Sequence, residues 1–145
     1  MKALIQRVKK ASVTIDNELY SSISHGILVL LGVEKGDSTD NADKLADKIM
    51  KLRIFEDENN KMNKSITDIS GEILVVSQFT LAGDCRKGTR PSFDKAEEPH
   101  KAEELYKYFT QIIRNNNINT QTGVFGAMMD VGLINDGPVT FMLEY

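Results

Sequence analysis

Hydrophobic positions along this chain repeat at two spacings, and each change of spacing marks a new element. Alternation begins at once: Ala3, Ile5 and Arg7 fall opposite Leu4, Gln6 and Val8, and after Lys9-Lys10 the pattern resumes with Val13 and Ile15 on one face. A period of two is the signature of a half-buried strand. Asp16-Asn17 tolerates left-handed backbone and predicts a hairpin returning through residues 19–23. Residues 27–33, opened by Gly26, are apolar on both faces, which predicts a central buried strand. From residue 41 to about 52 the spacing becomes helical: Ala42, Leu45, Ala46 and Ile49 share one face, while Asp43, Lys44, Asp47 and Lys48 take the other.

A strand is expected to start at 53–55 and to turn at 58–61, with Met62 and Ile66 reaching the core. Ser70-Gly71 is a further turn, followed by a strand over 72–78. Two glycines and a proline make 83–93 a loop. Pro99 suits a first helical position, and Ala102, Leu105, Tyr106, Phe109, Ile112 and Ile113 form the apolar stripe of a helix over 99–115. Strands follow at 120–124 and 139–145, with Met129, Val131 and Leu133 alternating between them. Gly126-Ala127 reads as a close backbone approach. Together these elements predict one α+β domain over 1–145, a compact, mostly antiparallel barrel-like sheet covered by two amphipathic helices.

Composition narrows the function classes. The chain has 145 residues, 41% of them hydrophobic, which is enough for one real core. No apolar run reaches the roughly 18 residues of a membrane helix, and the N-terminus lacks a signal-peptide apolar stretch. A soluble cytoplasmic protein with no membrane partner is expected. One cysteine and two distant histidines give no zinc-ligand spacing, and no clustered carboxylates point to magnesium, so neither metal nor cofactor is expected. A net charge of −3 argues against a general polyanion binder such as a DNA-coating protein, but leaves room for a local basic patch.

Two polar stretches could carry chemistry. Val75-Val76 runs straight into Ser77, Gln78, Phe79 and Thr80, setting hydroxyls and an amide at the edge of a core. Asn135-Asp136-Gly137-Pro138-Val139-Thr140 is a second polar edge, expected to face the first across a small ester-linked group. Plainer readings stand beside both: hydroxyls satisfying strand-end backbone groups, and a hairpin turn between two alternating strands. Arg86, Lys87 and Arg90 lie within five positions of the loop, either simply solvated or contacting phosphate. There is no Gly-rich phosphate loop and no Gly-x-Ser-x-Gly elbow, and neither histidine is near Ser77 or Thr80 in sequence, which argues against a triad. Hydrolysis would then rest on positioning, backbone amides or a group brought by the substrate.

These two motifs resemble the paired signatures of the D-aminoacyl-tRNA deacylase (D-tyrosyl-tRNA deacylase) family. Residues 1–13, 32–34, 53–55, 87–93 and 120–123 resemble it too, in matching order and spacing. The resemblance implies a homodimer that hydrolyses the ester between a D-amino acid and the terminal adenosine of tRNA. It implies that Ser77, Gln78, Phe79 and Thr80 line the reacting side of the pocket, with Phe125, Ala127 and Met129 opposite. Gly137-Pro138 is expected to be cis and to enter the partner subunit's site, with Arg7 fixing it. Arg86, Lys87 and Arg90 become tRNA contacts. Rigid main chain would then reject L side chains by clash, while glycine on alanine tRNA could be admitted. The rival class is a dimeric barrel that binds RNA or protein without catalysis.

Overall fold

The computed structural model describes residues 1–145. The N-terminal alternation becomes one long strand, β1 (Lys2–Ile15), and Asp16 and Asn17 turn it with φ of 51° and 65°. The returning chain forms β2 (Glu18–Ile23) and then β3 (Gly26–Gly32), which pair antiparallel with successive halves of β1 along one edge. Gly26 is required at the joint: a Cβ there would sit 1.8 Å from the Glu72 carbonyl oxygen.

Helix α1 (Thr39–Lys51) starts two residues before the periodicity predicts, because Ser38 caps it: Asn41 Oδ1 accepts the Ser38 N–H at 2.9 Å. It buries Ala42, Leu45, Ala46 and Ile49. A two-strand ribbon follows, β4 (Phe55–Glu56) and β5 (Met62–Lys64), apart from the main sheet. Ile66 reaches the core as expected, but Met62 does not. It is 50% exposed, because the ribbon pairs only with itself and Met62 stands opposite the exposed Glu56.

Strand β6 (Glu72–Ser77) pairs parallel with β3, and β7 (Thr120–Thr122) parallel with β6. Parallel neighbours need long crossovers, and α1 and α2 (Pro99–Asn115) lie within them. Pro99 is the first residue of α2, and the Glu98 carboxylate accepts the N–H groups of His100 and Lys101.

The last strand, β8 (Asp130–Glu144), runs antiparallel along the whole other edge of β1. Residues 135–138 do not form the hairpin turn of their plainer reading. Gln6 pairs with Thr140 and Val8 with Asn135, so residues 136–139 bulge out opposite Arg7 alone.

A main core of 24 buried residues lies between the two helices and one sheet face, with Ile5, Val29 and Val75 meeting Leu45, Ile49 and Phe109. Seven more, including Val13, Leu28 and Val76, pack on the opposite face, where the sheet curls on itself. The Ser21 hydroxyl on β2 donates to the Thr122 carbonyl on β7 at 2.8 Å, tying these strands across the curl. The result is a mixed, nearly closed barrel-like sheet with two covering helices.

Candidate active site

Strand β6 leaves the sheet at the first polar stretch. The Gln78 N–H donates to the Leu31 carbonyl at 2.8 Å, one step beyond the strand, and the chain then tightens into a 3-10 turn (Phe79–Ala82). Leu81 and Gly83 donate to the carbonyls of Gln78 and Thr80 at 3.2 and 3.0 Å. The turn therefore leaves the N–H groups of Phe79 and Thr80 unspent by its own bonding. Gln78 Nε2 donates to the Thr80 hydroxyl at 2.5 Å, so that oxygen is held by an amide rather than by a base.

A cavity of about 510 Å³ opens beside this turn. One wall is residues 76–79; the second is Ala96, Glu97, Pro99 and Ala102; the third is residues 125–129 with Val131. Ser77, Gln78 and Phe79 thus meet Phe125, Ala127 and Met129, as the resemblance implied, with Thr80 joined to them through Gln78. Phe125 leans on Tyr106, with ring centroids 5.8 Å apart. The Tyr106 hydroxyl donates to the Val75 carbonyl at 2.8 Å, and burial pushes its pKa up to about 12. Met129 lies over Gly123, where a Cβ would fall 2.6 Å from its sulfur. The close approach expected at Gly126 is absent: a Cβ there would meet nothing within 4 Å, and the glycine is needed for its φ of 74°.

The second wall was invisible to sequence reasoning. Ala102 belongs to the helical stripe, and only the space left by its small side chain makes it part of a site. Glu97 is the charged group of the lining. Lys101 Nζ donates to it at 2.6 Å, and that bond above all holds its carboxyl below the usual range.

The second polar stretch lies elsewhere. Gly137-Pro138 is cis, as expected, but within one chain it does not line the cavity. β1 and β3 stand between β8 and β6, about three strand spacings or roughly 14 Å. The two edges do not face each other in a single chain. Arg7, which is buried, does hold the bulge: its Nε donates to the Asp136 carbonyl at 2.9 Å and its Nη1 to the Ile54 carbonyl at 2.6 Å. Asn135 Nδ2 braces the bulge from inside, donating to the carbonyls of Arg7 and Val139.

Neither histidine lines the cavity. His25 is 3.7 Å from Asp136, and His100 is 3.7 Å from Glu104. In the basic loop Arg86 is already partnered. Its Nε donates to both Asp84 oxygens at 2.9 and 3.0 Å, and these bonds hold the Asp84 carboxyl far below the usual range. Lys87 and Arg90 are exposed.

Comparison with known proteins fits this geometry. The family model of D-Tyr-tRNA(Tyr) deacylase matches residues 4–144. The D-aminoacyl-tRNA deacylase of Geotalea daltonii is 61% identical over 144 residues, 99% of this chain and 96% of that one. A solved structure described as c-Myc DNA Unwinding Element Binding Protein superposes with a TM-score of 0.94 at 44% identity, covering 100% of this chain and 99% of its own. A probable eukaryotic D-amino acid tRNA deacylase, at 16% identity, shares the fold with a TM-score of 0.83 over 99% of this chain and 98% of its own. With a family model spanning nearly its whole length and a relative this similar, the chain belongs to the D-Tyr-tRNA(Tyr) deacylase family.

Proposed function

We propose that this deacylase works as a cytoplasmic homodimer that cleaves the ester of D-aminoacyl-tRNA, rejects the L-aminoacyl form and admits glycyl-tRNA(Ala). The observation that carries this reading is the pairing, beside one cavity, of unspent main-chain amides at Phe79 and Thr80 with a Thr80 hydroxyl that has no base. A neutral hydroxyl needs activation to act as a nucleophile. Here the amides polarise the ester carbonyl and stabilise the oxyanion, and the RNA's own 2′-hydroxyl assists the attacking water. The products are free amino acid and tRNA. Ser77 and Gln78 shape the reacting side, and Phe125, Ala127 and Met129 the other.

Discrimination by handedness comes from the partner subunit. The Gly137-Pro138 segment, held by Arg7, enters the neighbouring cavity, where its carbonyls receive the substrate ammonium and stand where an L side chain would project. Two features support a second copy. Gly137 and Pro138 are exposed, and β8 is an edge strand that leaves Leu133, Ile134, Phe141 and Met142 more than a third exposed. Long apolar edges are covered in stable proteins. Glycine has nothing to clash and is cleaved.

Lys87 and Arg90, with Arg86 once released from Asp84, meet tRNA phosphates. DNA binding belongs to the description of the solved relative; DNA offers neither the ester nor the 2′-hydroxyl this site uses. The test is incubation with D-tyrosyl-, L-tyrosyl- and glycyl-tRNA(Ala), alongside sedimentation. Hydrolysis of the first and third by a dimer is expected. Equal cleavage of both tyrosyl enantiomers, or full chiral discrimination by a monomer, would overturn the scheme.

A further inference from the structure

We propose that Phe79 and Phe93 form a stacking shelf for the tRNA base next to the terminal adenosine, a proposal that rests on the deacylase reading above. Phe79 is 57% exposed and Phe93 38%, yet their rings pack against each other edge to face, with centroids 5.1 Å apart at 61°. Neither ring belongs to a buried cluster. Two large rings left together in water represent unclaimed burial energy.

The backbone fixes where they sit. Phe79 begins the 3-10 turn. Reciprocal bonds between Asp84 and Ser92, at 2.8 and 3.0 Å, pinch the loop shut, and Phe93 follows at once. The Phe93 carbonyl accepts the Ala96 N–H at 2.9 Å, which ties it to the cavity's second wall. Gly83 lets the ring lie flat against the turn, since a Cβ there would come within 3.1 Å of Phe93 Cε1. Phe79 lines the cavity and Phe93 does not. The shelf therefore runs outward from the mouth.

Charge identifies the occupant. The loop's ion pair is Arg86 with Asp84, while Lys87 and Arg90, which precede Phe93 in the chain, and Lys95, which follows it, are exposed in a chain of net charge −3. Aromatic faces beside a track of cations are how proteins hold unpaired nucleic acid. The acceptor end of tRNA is an unpaired CCA. With the aminoacylated adenosine in the cavity, the adjoining cytosine is the first base to reach Phe93.

The test compares Phe93→Leu with the natural protein on D-tyrosyl-tRNA and on D-tyrosyl-adenosine, which lacks a second base. Leucine keeps apolar bulk over Gly83 and removes the ring. The loss on tRNA is expected to fall on KM rather than kcat and to exceed the loss on the adenosine ester about fivefold or more, with Phe93→Trp restoring it. Equal losses on both substrates, or no loss on tRNA, overturn the shelf. Binding of an uncharged CCA-ended RNA should weaken by a similar factor when its penultimate position is made abasic. Equal binding of the two RNAs also overturns it. A protein inert toward D-tyrosyl-tRNA that still distinguishes these RNAs would sink the deacylase reading and leave the shelf standing.

Discussion

Arg7 Nε donates to the main-chain carbonyl of Asp136 at 2.9 Å, and the same nitrogen lies 3.1 Å from the Asp136 carboxylate. One buried planar group thus joins β1 to the β8 bulge, and through Ile54 to the segment after α1. Lysine cannot reproduce that fork. Arg7→Lys is expected to lose about 1.5–3 kcal/mol of stability in urea titrations, the range for hydrogen bonds to a charged group. It should also lower kcat/KM on D-tyrosyl-tRNA by about a hundredfold, because small misplacements of a positioning segment cost that much. Undiminished kcat/KM at full folding would show that the clamp is structural only.

Thr80 separates side-chain from main-chain chemistry. Its hydroxyl accepts from Gln78 Nε2, and neither histidine lines the cavity beside it. Thr80→Ala preserves the backbone amide and should keep kcat within about tenfold of the natural rate, roughly what losing one ordinary hydrogen bond costs. A substrate with a 2′-deoxy terminal adenosine should be cleaved far more slowly by both proteins. A dead Thr80→Ala enzyme beside normal cleavage of the deoxy substrate would move the chemistry onto the side chain.

Such distinctions mark how far the sequence could be read. Helix α2 was legible to the residue, because Pro99 opens it and the stripe from Ala102 to Ile113 has one period. β1 was equally plain. Residues 135–138 read as a turn because Asn, Asp, Gly and Pro carry the same conformational preferences in a bulge as in a hairpin. Only pairing with β1 distinguishes them, and that partner lies about 130 positions away in the chain. Within one chain the two polar edges stay apart for the same reason: strand order, not local pattern, sets which edges meet. Ala102 was silent because a small residue in a cavity wall looks like ordinary helix packing, and Ala96 because nothing local in a loop marks a wall. Gly123 was a readable signal for Met129, since a glycine interrupting a strand pattern marks a close approach.

Glu72 predicts an acid-range signature. Its carboxylate accepts the Ser24 N–H at 2.6 Å, the Ser24 hydroxyl at 2.9 Å and the Asn119 amide, bracing the start of β6. The Ser24 N–H above all holds its pKa below the ordinary value. A lowered folded pKa stabilises the protein above the unfolded value of about 4.5, and that contribution disappears as pH falls through the folded value. The stability gap between the natural protein and Glu72→Gln should therefore be widest near neutrality and narrow below about pH 4.5. Urea midpoints measured at pH 7 and pH 3 check this, and a gap that does not change with pH would reject it.

Salt dependence should resolve the basic loop residue by residue. Each phosphate neutralised on single-stranded RNA contributes about −0.7 to the slope of log affinity against log salt, and on a duplex about −0.9. Lys87 and Arg90 are exposed, so alanine at either should flatten the slope by about that amount. Arg86→Ala should flatten it less, because Asp84 already faces that guanidinium with both oxygens. Asp84→Asn should act in the opposite direction: it removes an anion beside the RNA path and frees Arg86 to bind phosphate, giving tighter binding with a steeper slope. Filter binding of uncharged tRNA over a series of salt concentrations measures all four variants. A flat slope for the natural protein, or Asp84→Asn binding no tighter, would mean that the loop's charges serve only to hold the loop to itself.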